Sequence, residues 1–205
     1  MFAKNTKAGG LQFTDDFRVA IEPAEVIFIT VGTPDKGNGE SDLSAIEAVT
    51  QKIGSLINGY KLVVEKSTVP VETGKWIEHT IRVNNRSGVH FEVASNPEFL
   101  REGSAVEDFM RPDRIVIGVE SPRAEKILRE LYSPFSVPII ATDIKSAELI
   151  KHASNSFLST KISFINAIAN ICERVGADVV KVAEAIGLDR RIGKDFLNAG
   201  LGFGG

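Results

Sequence analysis

The sequence predicts an α/β protein in which a parallel, doubly wound sheet is followed by an all-helical module with one long helix. The sheet is predicted because short apolar runs, rich in β-branched residues, alternate with helix patterns over the first two-thirds of the chain. The helical module is predicted because neither Gly nor Pro occurs from residue 143 to residue 175. We therefore expect a sheet domain over residues 1–142 and a helical module over residues 143–205.

Five strands are predicted from the apolar runs. The first lies between Pro23 and the turn at Gly32, and its apolar character is typical of a strand buried on both faces of a parallel sheet. In order along the chain, the predicted strands are Val26–Val31, Lys61–Glu65, Phe91–Ala94, Arg114–Gly118 and Pro138–Ala141.

The predicted helices begin and end at recognisable signals. Asp42 precedes the first helix as a capping residue, Pro70 and Glu72 open the second, and Gly176 ends the long helix. Asp189 is expected to start a short last helix. The second helix carries Trp76, Ile77 and Ile81 on one face. The other predicted ranges are about 43–57, 122–132, 143–175, 179–186 and 189–198.

The second half of the long helix is apolar nearly all round, which is typical of a helix buried on more than one side. Two interpretations remain open at this point. The helix lies in the centre of a core, or it links two domains and also forms a dimer interface.

Composition narrows the function classes. The net charge of −3 provides no basic surface for nucleic acid or for an anionic membrane. No apolar run reaches the length of a membrane span, and the first residues lack the apolar core of a signal peptide. A single cysteine, Cys172, fits a reducing compartment, so we expect a cytoplasmic protein. Because no cluster of ligand residues has metal-site spacing, we expect no metal.

Two loops rich in small and polar residues follow the first two predicted strands. The segment 31–35 reads VGTPD and the segment 66–70 reads KSTVP. Ligands of open α/β sheets bind beyond the carboxyl ends of the strands, so this pair of loops favours a nucleotide site. An ordinary turn and a simple helix cap explain each loop equally well when it is taken alone.

Further candidates lie after the third predicted strand and on the long helix. Glu98 and Glu102 would share one face if their segment were helical, as suits general acid/base chemistry; the alternative is a solvated face. Lys151 and Asn155 are one helical turn apart. The lysine either reaches solvent or supplies a buried positive charge to an oxyanion. Cys172 lies among apolar residues and is a poor candidate nucleophile.

The end of the chain carries two arginines and a glycine-rich loop. Arg190 and Arg191 either bind an anionic group or are solvated at a helix start. The segment 200–205, GLGFGG, can wrap a ligand with backbone N–H groups, or it is simply a flexible end.

In this order, the segments closely resemble the UDP-glucose 6-dehydrogenase family of nucleotide-sugar dehydrogenases. The resemblance covers nearly the whole chain and includes VGTP at 31–34, EKSTVPV at 65–71 and SNPEFLREGSAVEDF at 95–109. It continues with PDRIVIG at 112–118, ELIKHASNSFLSTKISFINAIANICERVGADV at 148–179 and IGLDRRIGKDFLNAGLGFGG at 186–205.

The resemblance implies a partial Rossmann-like NAD-binding domain and a central helical dimerisation module that also binds substrate. It implies oxidation of the C6 alcohol of UDP-glucose to UDP-glucuronate with NAD as cofactor. The reaction would pass through a cysteine thiohemiacetal and a thioester. It also implies a homodimer through the long helix 143–175.

The resemblance also assigns roles to residues. Glu98 is similar to the hydrolytic base, Thr68 to the residue that holds a water, Lys151 to the oxyanion stabiliser and Asn155 to its partner on the sugar. The implied cofactor contacts are Val31, Gly32, Thr33, Pro34, Asp35, Ser67, Thr68 and Glu102. The implied substrate contacts are Glu98, Phe99, Leu100, Arg101, Glu102, Lys151, Asn155, Asn198, Gly202, Phe203, Gly204 and Arg191, the last reaching the neighbouring subunit's substrate.

Two departures from the family pattern shape our expectations. The family begins with a G-x-G-x-x-G turn and places its nucleophilic cysteine just after GFGG, and neither occurs in these residues. We therefore expect a chain truncated at both ends and inactive by itself. The alternatives are a UDP-N-acetylhexosamine or GDP-mannose dehydrogenase fragment, or a non-catalytic dimerisation subunit.

Overall fold

The computed structural model describes residues 2–201. These residues form two compact units, one with residues 2–98 and 110–149 and the other with residues 99–109 and 150–201. The division between residues 142 and 143 stays a prediction.

The first unit contains one five-stranded sheet, and it confirms the predicted α/β fold. The strands lie side by side in sequence order: β1 Val26–Ile29, β2 Lys61–Glu65, β3 Phe91–Ser95, β4 Ile115–Gly118 and β5 Ile139–Thr142. The first three strands are parallel, and β5 is parallel to β4.

The direction of β4 differs from the predicted parallel sheet. This strand runs antiparallel to β3 through the pair Ser95 and Gly118. A parallel connection needs a crossover, usually a helix of several turns. The chain between β3 and β4 holds only one short helix of six residues. The sheet is therefore mostly parallel, with a reversal at its fourth strand.

Eight helices are assigned within residues 2–201. Three short ones were not predicted, two near the beginning of the chain and one between β3 and β4. In chain order, the helices are α1 Phe2–Lys7, α2 Phe17–Ile21, α3 Ser44–Leu56, α4 Thr73–Asn84, α5 Ala105–Met110, α6 Pro122–Tyr132, α7 Ile144–Val175 and α8 Val179–Gly187.

The predicted helix at 189–198 is wrong, because that segment forms turns. Gly193 has a φ of 70° and Phe196 a φ of 63°, and left-handed residues interrupt a right-handed helix. Asp178 caps α8, since its side chain accepts hydrogen bonds from the backbone N–H groups of Val180 and Lys181.

The sheet separates two apolar clusters, as expected for a doubly wound fold. Strand β2 shows this alternation best, because Val63 belongs to one cluster while Leu62 and Val64 belong to the other. The first cluster includes buried residues of α3 and α4, and the second includes buried residues of α6. All five residues of β2 are buried, as expected for a strand that is covered on both faces of the sheet.

The start of α7 fits against two glycines. A Cβ at Gly74 would lie 2.5 Å from Ile144 Cγ2, and a Cβ at Gly118 would lie 2.8 Å from Ile144 Cα. Glu148, one turn later, accepts hydrogen bonds from the backbone N–H groups of Glu72 and Gly74, each at 2.7 Å. Its carboxylate therefore caps the N-terminus of α4, where a negative charge is favourable.

The second half of α7 is buried on one side and exposed on another. Ile165 and Cys172 are buried, whereas Phe164 is 50% exposed and Ile171 is 55% exposed. The expectation of burial on more than one side is therefore not met in the single chain. None of the helices within residues 2–201 is long and apolar enough to cross a membrane.

We predict that Gly74→Ala destabilises the protein by about 1–3 kcal/mol, because its methyl group overlaps Ile144 and forces α4 and α7 apart. The control is Gly59→Ala, where an added Cβ meets no atom within 4 Å, with an expected change within about 0.5 kcal/mol. Urea unfolding of both variants measures the difference. Equal free energies of unfolding would show that α4 and α7 accommodate the added methyl group without loss of stability.

Candidate functional site

The predicted ligand loops meet at one edge of the sheet. Ile29, Glu65 and Ser95 are register partners at the carboxyl ends of β1, β2 and β3. Because the three strands are parallel, the segments that follow them leave the sheet side by side. The cofactor loops at 31–35 and 66–70 are therefore neighbours, with the segment that begins at Asn96 beside them.

Two reciprocal hydrogen bonds fasten the first two loops together. The Thr33 hydroxyl donates to the Thr68 carbonyl oxygen at 2.8 Å, and the Ser67 hydroxyl donates to the Val31 carbonyl oxygen at 2.7 Å. Each hydroxyl has one proton, so both protons are already used inside the protein. Four of the predicted cofactor residues thus form one connected structure.

The remaining predicted cofactor residues are Gly32, Pro34, Asp35 and Glu102. Gly32 and Pro34 are exposed, and a Cβ at Gly32 would meet no atom within 4 Å, so a ligand can approach this backbone closely. Asp35 closes its own loop, because its side chain accepts hydrogen bonds from the backbone of Gly37 and Gly39. Glu102 is exposed in a turn.

Asn96 joins the third segment to the rest of the sheet. Its backbone N–H donates to the Glu65 carbonyl oxygen, and its side-chain amide donates to the Val116 carbonyl oxygen at 2.8 Å. Its side-chain oxygen accepts from Lys66 Nζ at 3.0 Å and from the Tyr132 hydroxyl. One buried amide thereby fixes β3 to β2, β4 and α6.

Glu98 follows this fixed residue by two positions and is half-buried. The segment from Asn96 to Leu100 is not helical, and α5 begins only at Ala105. The condition for Glu98 and Glu102 to share a helix face is therefore not met. The role of each carboxylate stays a prediction.

Lys151 and Asn155 lie one turn apart on α7, so the predicted spacing on a single helix face is present. Lys151 is only 5% exposed, although lysine is among the residues least often buried. Its ammonium nitrogen lies 5.6 Å from the centre of the Phe99 ring, at the distance of a cation–π contact. The structure thus favours the buried alternative for this lysine, while its role as oxyanion stabiliser stays a prediction.

The predicted arginines are engaged in ion pairs. Arg101 binds Asp108 through its guanidinium and its backbone N–H, which holds the pKa of that carboxyl well below its usual range. Arg191 pairs with Asp189 at 2.7 Å on an exposed turn, and this pairing lowers the pKa of Asp189. A substrate anion would therefore compete with a carboxylate at either arginine.

Among the other predicted substrate contacts, Leu100 is half-buried in the segment after β3. Asn198 is exposed in the segment after α8. Nearby, Gly200 donates its backbone N–H to the Asn166 side-chain oxygen at 2.9 Å. Gly202, Phe203 and Gly204 lie outside the described residues. Within residues 2–201 no group of three or more His, Cys, Asp or Glu residues could hold a metal ion.

Two buried carboxyls were missed by the sequence analysis. Glu65, at the end of β2, is 1% exposed, and burial raises its pKa to about 8. Glu148 is also buried, and its negative charge raises the pKa of Glu65 further. Nothing in the pattern around Glu148 distinguishes it from a solvated residue, whereas the position of Glu65 in a continuous buried strand was a signal.

A mostly parallel sheet with polar loops at its carboxyl edge defines the class of nucleotide-binding α/β proteins. Residues 1–136 match the NAD binding domain of the UDP-glucose/GDP-mannose dehydrogenase family, and residues 145–205 match the central domain of that family. The chain belongs to the UDP-glucose/GDP-mannose dehydrogenase family.

Individual relatives agree with this assignment. The chain is 54% identical to the UDP-glucose 6-dehydrogenase TuaD of Bacillus subtilis over 98% of its own length and 44% of the relative's. A UDP-glucose dehydrogenase structure from Pyrobaculum islandicum is 43% identical with a TM-score of 0.95, covering 99% of this chain and 48% of that one. A GDP-mannose dehydrogenase structure from Pseudomonas aeruginosa is 35% identical with a TM-score of 0.89, at the same two coverages. The chain thus spans about half the length of these relatives.

We predict that Asn96→Ala destabilises the protein by roughly 2–4 kcal/mol, because it leaves the Val116 carbonyl oxygen and the Tyr132 hydroxyl buried without their partner. Asn38→Ala, in an exposed loop, is the control and should change stability by less than about 0.5 kcal/mol. Both are measured by urea unfolding. A loss at Asn96 no larger than at Asn38 would contradict the importance of this amide.

Proposed function

We propose that this chain is the part of an NAD-dependent nucleotide-sugar dehydrogenase that carries cofactor loops and substrate segments. The enzyme would oxidise the C6 alcohol of UDP-glucose to the carboxylate of UDP-glucuronate. The observation that carries the proposal is the joining of the 31–35 and 66–70 loops at the carboxyl edge of the sheet. The substrate choice rests on the names of the relatives that are about half identical to this chain.

The cofactor edge has the chemistry that a dinucleotide needs. Val31, Gly32, Thr33 and Pro34 would present backbone to the cofactor, with Asp35 and Glu102 at the margins, and Ser67 and Thr68 would line the adjoining loop. The open backbone at Gly32 supports this fit. Bound NAD would take up the hydride removed from the sugar.

The catalytic groups would act on the sugar carbon and on a thiol-bound intermediate. Glu98 would deprotonate the water that hydrolyses the thioester, and Thr68 would hold that water. Lys151 would stabilise the negative charge that develops on the sugar oxygen, with Asn155 orienting the sugar. Burial of the lysine supports this role, because a charge acts more strongly away from water.

The covalent step needs a reactive thiol, which we assign to a cysteine other than Cys172. That residue is buried on α7 next to Ile171 and is a poor nucleophile in this position. A reducing, cytoplasmic location is proposed from the single cysteine of the sequence.

The substrate would lie against the segment 98–102, Lys151, Asn155 and Asn198, and Gly202, Phe203 and Gly204 are further proposed contacts. Arg191 would reach the substrate of a second subunit. An exposed guanidinium on a turn supports that reach, since it can exchange its carboxylate partner for an anionic ligand.

A chimera provides the test of the activity. These 205 residues replace the matching part of the Bacillus subtilis enzyme TuaD, and NADH formation is followed with each sugar nucleotide. We expect turnover of UDP-glucose. Turnover of GDP-mannose or a UDP-N-acetylhexosamine without turnover of UDP-glucose would overturn the proposed substrate.

The same chimera tests the residue roles. Glu98→Gln should slow steady-state turnover by roughly 10²–10⁴-fold, with a burst of NADH before a slow thioester hydrolysis. Lys151→Ala should lower kcat by roughly 10²–10³-fold. The controls are Glu184→Gln and Lys181→Ala, which remove a charge from an exposed pair on α8. If the Glu98 and Lys151 variants turn over substrate as fast as their controls, the proposed catalytic roles of these two residues are wrong.

We also propose a homodimer through the long helix 143–175. Support comes from the apolar side chains Phe157, Phe164, Ile171 and Val175, which recur on one face of α7 and are exposed in the single chain. Light scattering should give the mass of a dimer. Phe164→Glu should lower that mass to the monomer value, and a wild-type monomer would contradict the proposal.

A further inference from the structure

Lys66 contacts the ends of both strands that neighbour β2. It follows β2 directly, and its backbone N–H donates to the Ile29 carbonyl oxygen at the end of β1 at 3.0 Å. Its ammonium reaches the other neighbour, where Nζ lies 3.0 Å from the side-chain oxygen of Asn96 and 3.3 Å from the carbonyl oxygen of the same residue. Asn96 follows β3 directly. Lys66 thus joins the carboxyl ends of three strands, with its backbone on one side and its side chain on the other.

The two oxygens that the Lys66 ammonium contacts belong to a buried residue. Asn96 is 1% exposed, so its oxygens need donors from the protein. Its side chain is further held by the Tyr132 hydroxyl, which donates to it, and by the Val116 carbonyl oxygen, which accepts from it. Hydrogen bonds from a charged donor are stronger than those between neutral groups. The ammonium therefore fixes the direction of the Asn96 carbonyl oxygen within a side chain that is itself fixed.

A fixed carbonyl oxygen determines where the chain continues. The peptide bond between Asn96 and Pro97 is planar, so the direction of its oxygen sets the direction of its nitrogen. The pyrrolidine ring then fixes φ of Pro97. The soft dihedral that remains before the Cα of Glu98 is ψ of Pro97. The position of Glu98 thus depends on the carbonyl oxygen that Lys66 holds.

We propose that Lys66 is a positioning residue for Glu98, the base of the proposed reaction. Its ammonium holds the Asn96 carbonyl oxygen, Pro97 keeps the direction of the chain, and the Glu98 carboxylate is thereby placed against the water that it deprotonates. We call the contacts between Lys66 and Asn96 the Lys66 clamp. The clamp rests on the geometry of the strand ends, whereas its effect on turnover rests on the proposed function.

The clamp should affect one step of the proposed reaction. In that step the oxygen of water bonds to the thioester carbon, Glu98 takes the proton, and the carbon–sulfur bond breaks to release the thiolate and the carboxylate product. The hydride transfers to NAD come earlier and do not require Glu98. Displacement of a catalytic geometry by about 1 Å can cost roughly 10²-fold in rate. Loss of the clamp should therefore slow hydrolysis and leave hydride transfer unchanged.

Lys66→Met in the chimera with TuaD tests this consequence, because methionine keeps an unbranched side chain and removes the ammonium. Steady-state turnover of UDP-glucose should fall by roughly 10–10²-fold, with a burst of NADH as fast as hydride transfer in the wild type. KM for NAD should not change. The control is Lys181→Met, which removes an exposed ammonium from α8 and should turn over like the wild type. Equal turnover of Lys66→Met and its control would overturn the inference.

A double-mutant cycle separates positioning from a general structural effect. Residues that act through one group have non-additive effects on rate. In a chimera that already carries Glu98→Gln, Lys66→Met should slow turnover further by less than about 3-fold. An equal slowing in both backgrounds, or a raised KM for NAD, would assign Lys66 to the fold or to the cofactor loop and overturn the inference. If Lys66→Met does not fold, Lys66→Gln replaces it in the cycle, because its shorter, uncharged side chain also removes the clamp while it remains polar.

Carbonyl ¹³C resonances of the 205-residue chain test the clamp without turnover. The backbone and side-chain carbonyl resonances of Asn96 should shift in Lys66→Met, because each oxygen loses a charged donor, and the Glu98 N–H resonance should shift with them. Lys181→Met should leave all three resonances in place. Asn96 resonances that are the same in Lys66→Met and in the wild type would overturn the clamp.

The two measurements distinguish failure of this inference from failure of the proposed function. If the wild-type chimera oxidises UDP-glucose and Lys66→Met does so as fast as its control, the inference is wrong and the proposed function stands. If the wild-type chimera oxidises no sugar nucleotide, the proposed function is wrong and Lys66 has no role in turnover. Shifted Asn96 resonances would then still support the clamp.

Discussion

The register of three parallel strands is the constraint on which the rest of this structure depends. Ile29, Glu65 and Ser95 end β1, β2 and β3 at the same level, so three segments that are far apart in sequence leave the sheet as neighbours. A shift of one strand by one residue would send its side chains to the opposite face. The hydroxyls of the 31–35 and 66–70 loops would then lose the carbonyl oxygens that they now reach.

Buried polar groups make this arrangement specific. A buried donor or acceptor is costly unless its partner is in place. Asn96 and Glu148 supply such groups at the carboxyl edge, and each bonds to backbone on other elements. The two glycines that receive α7 add a steric limit of the same kind, since neither position has room for a methyl group.

The pattern of apolar residues was enough to predict all five strands and most helices, because burial imposes a period on the sequence. It was not enough to predict the direction of β4, which depends on the absence of a crossing helix between two strands. The helix expected at 189–198 is interrupted at Phe196, which has a left-handed backbone conformation. The residue type did not predict this conformation, because a phenylalanine rarely adopts a positive φ. The two short helices before β1 were missed because five or six residues give too little periodicity.

The candidate site, like the fold, could be predicted from the sequence only in part. The loops beyond β1 and β2 could be predicted to lie together, because parallel strands bring their carboxyl ends to one edge. The pairing of Arg101 with Asp108 and the burial of Lys151 could not, because both depend on how distant parts of the chain pack. Glu65 and Glu148 are the clearest case. The two carboxyls interact although they lie 83 positions apart in the sequence, and the pattern of neighbouring residues does not show such a long-range interaction.

The hydroxyl groups of Thr33 and Ser67 have a consequence for what this edge can recognise. Both point their hydrogens inward, and only lone pairs remain to face an incoming molecule. A phosphate oxygen carries no hydrogen to share and would be repelled by them. A ribose carries hydroxyls that can donate. Under the proposed function, this edge would face the sugar of the nucleotide rather than its phosphates, which would take their hydrogen bonds from backbone N–H groups or cations.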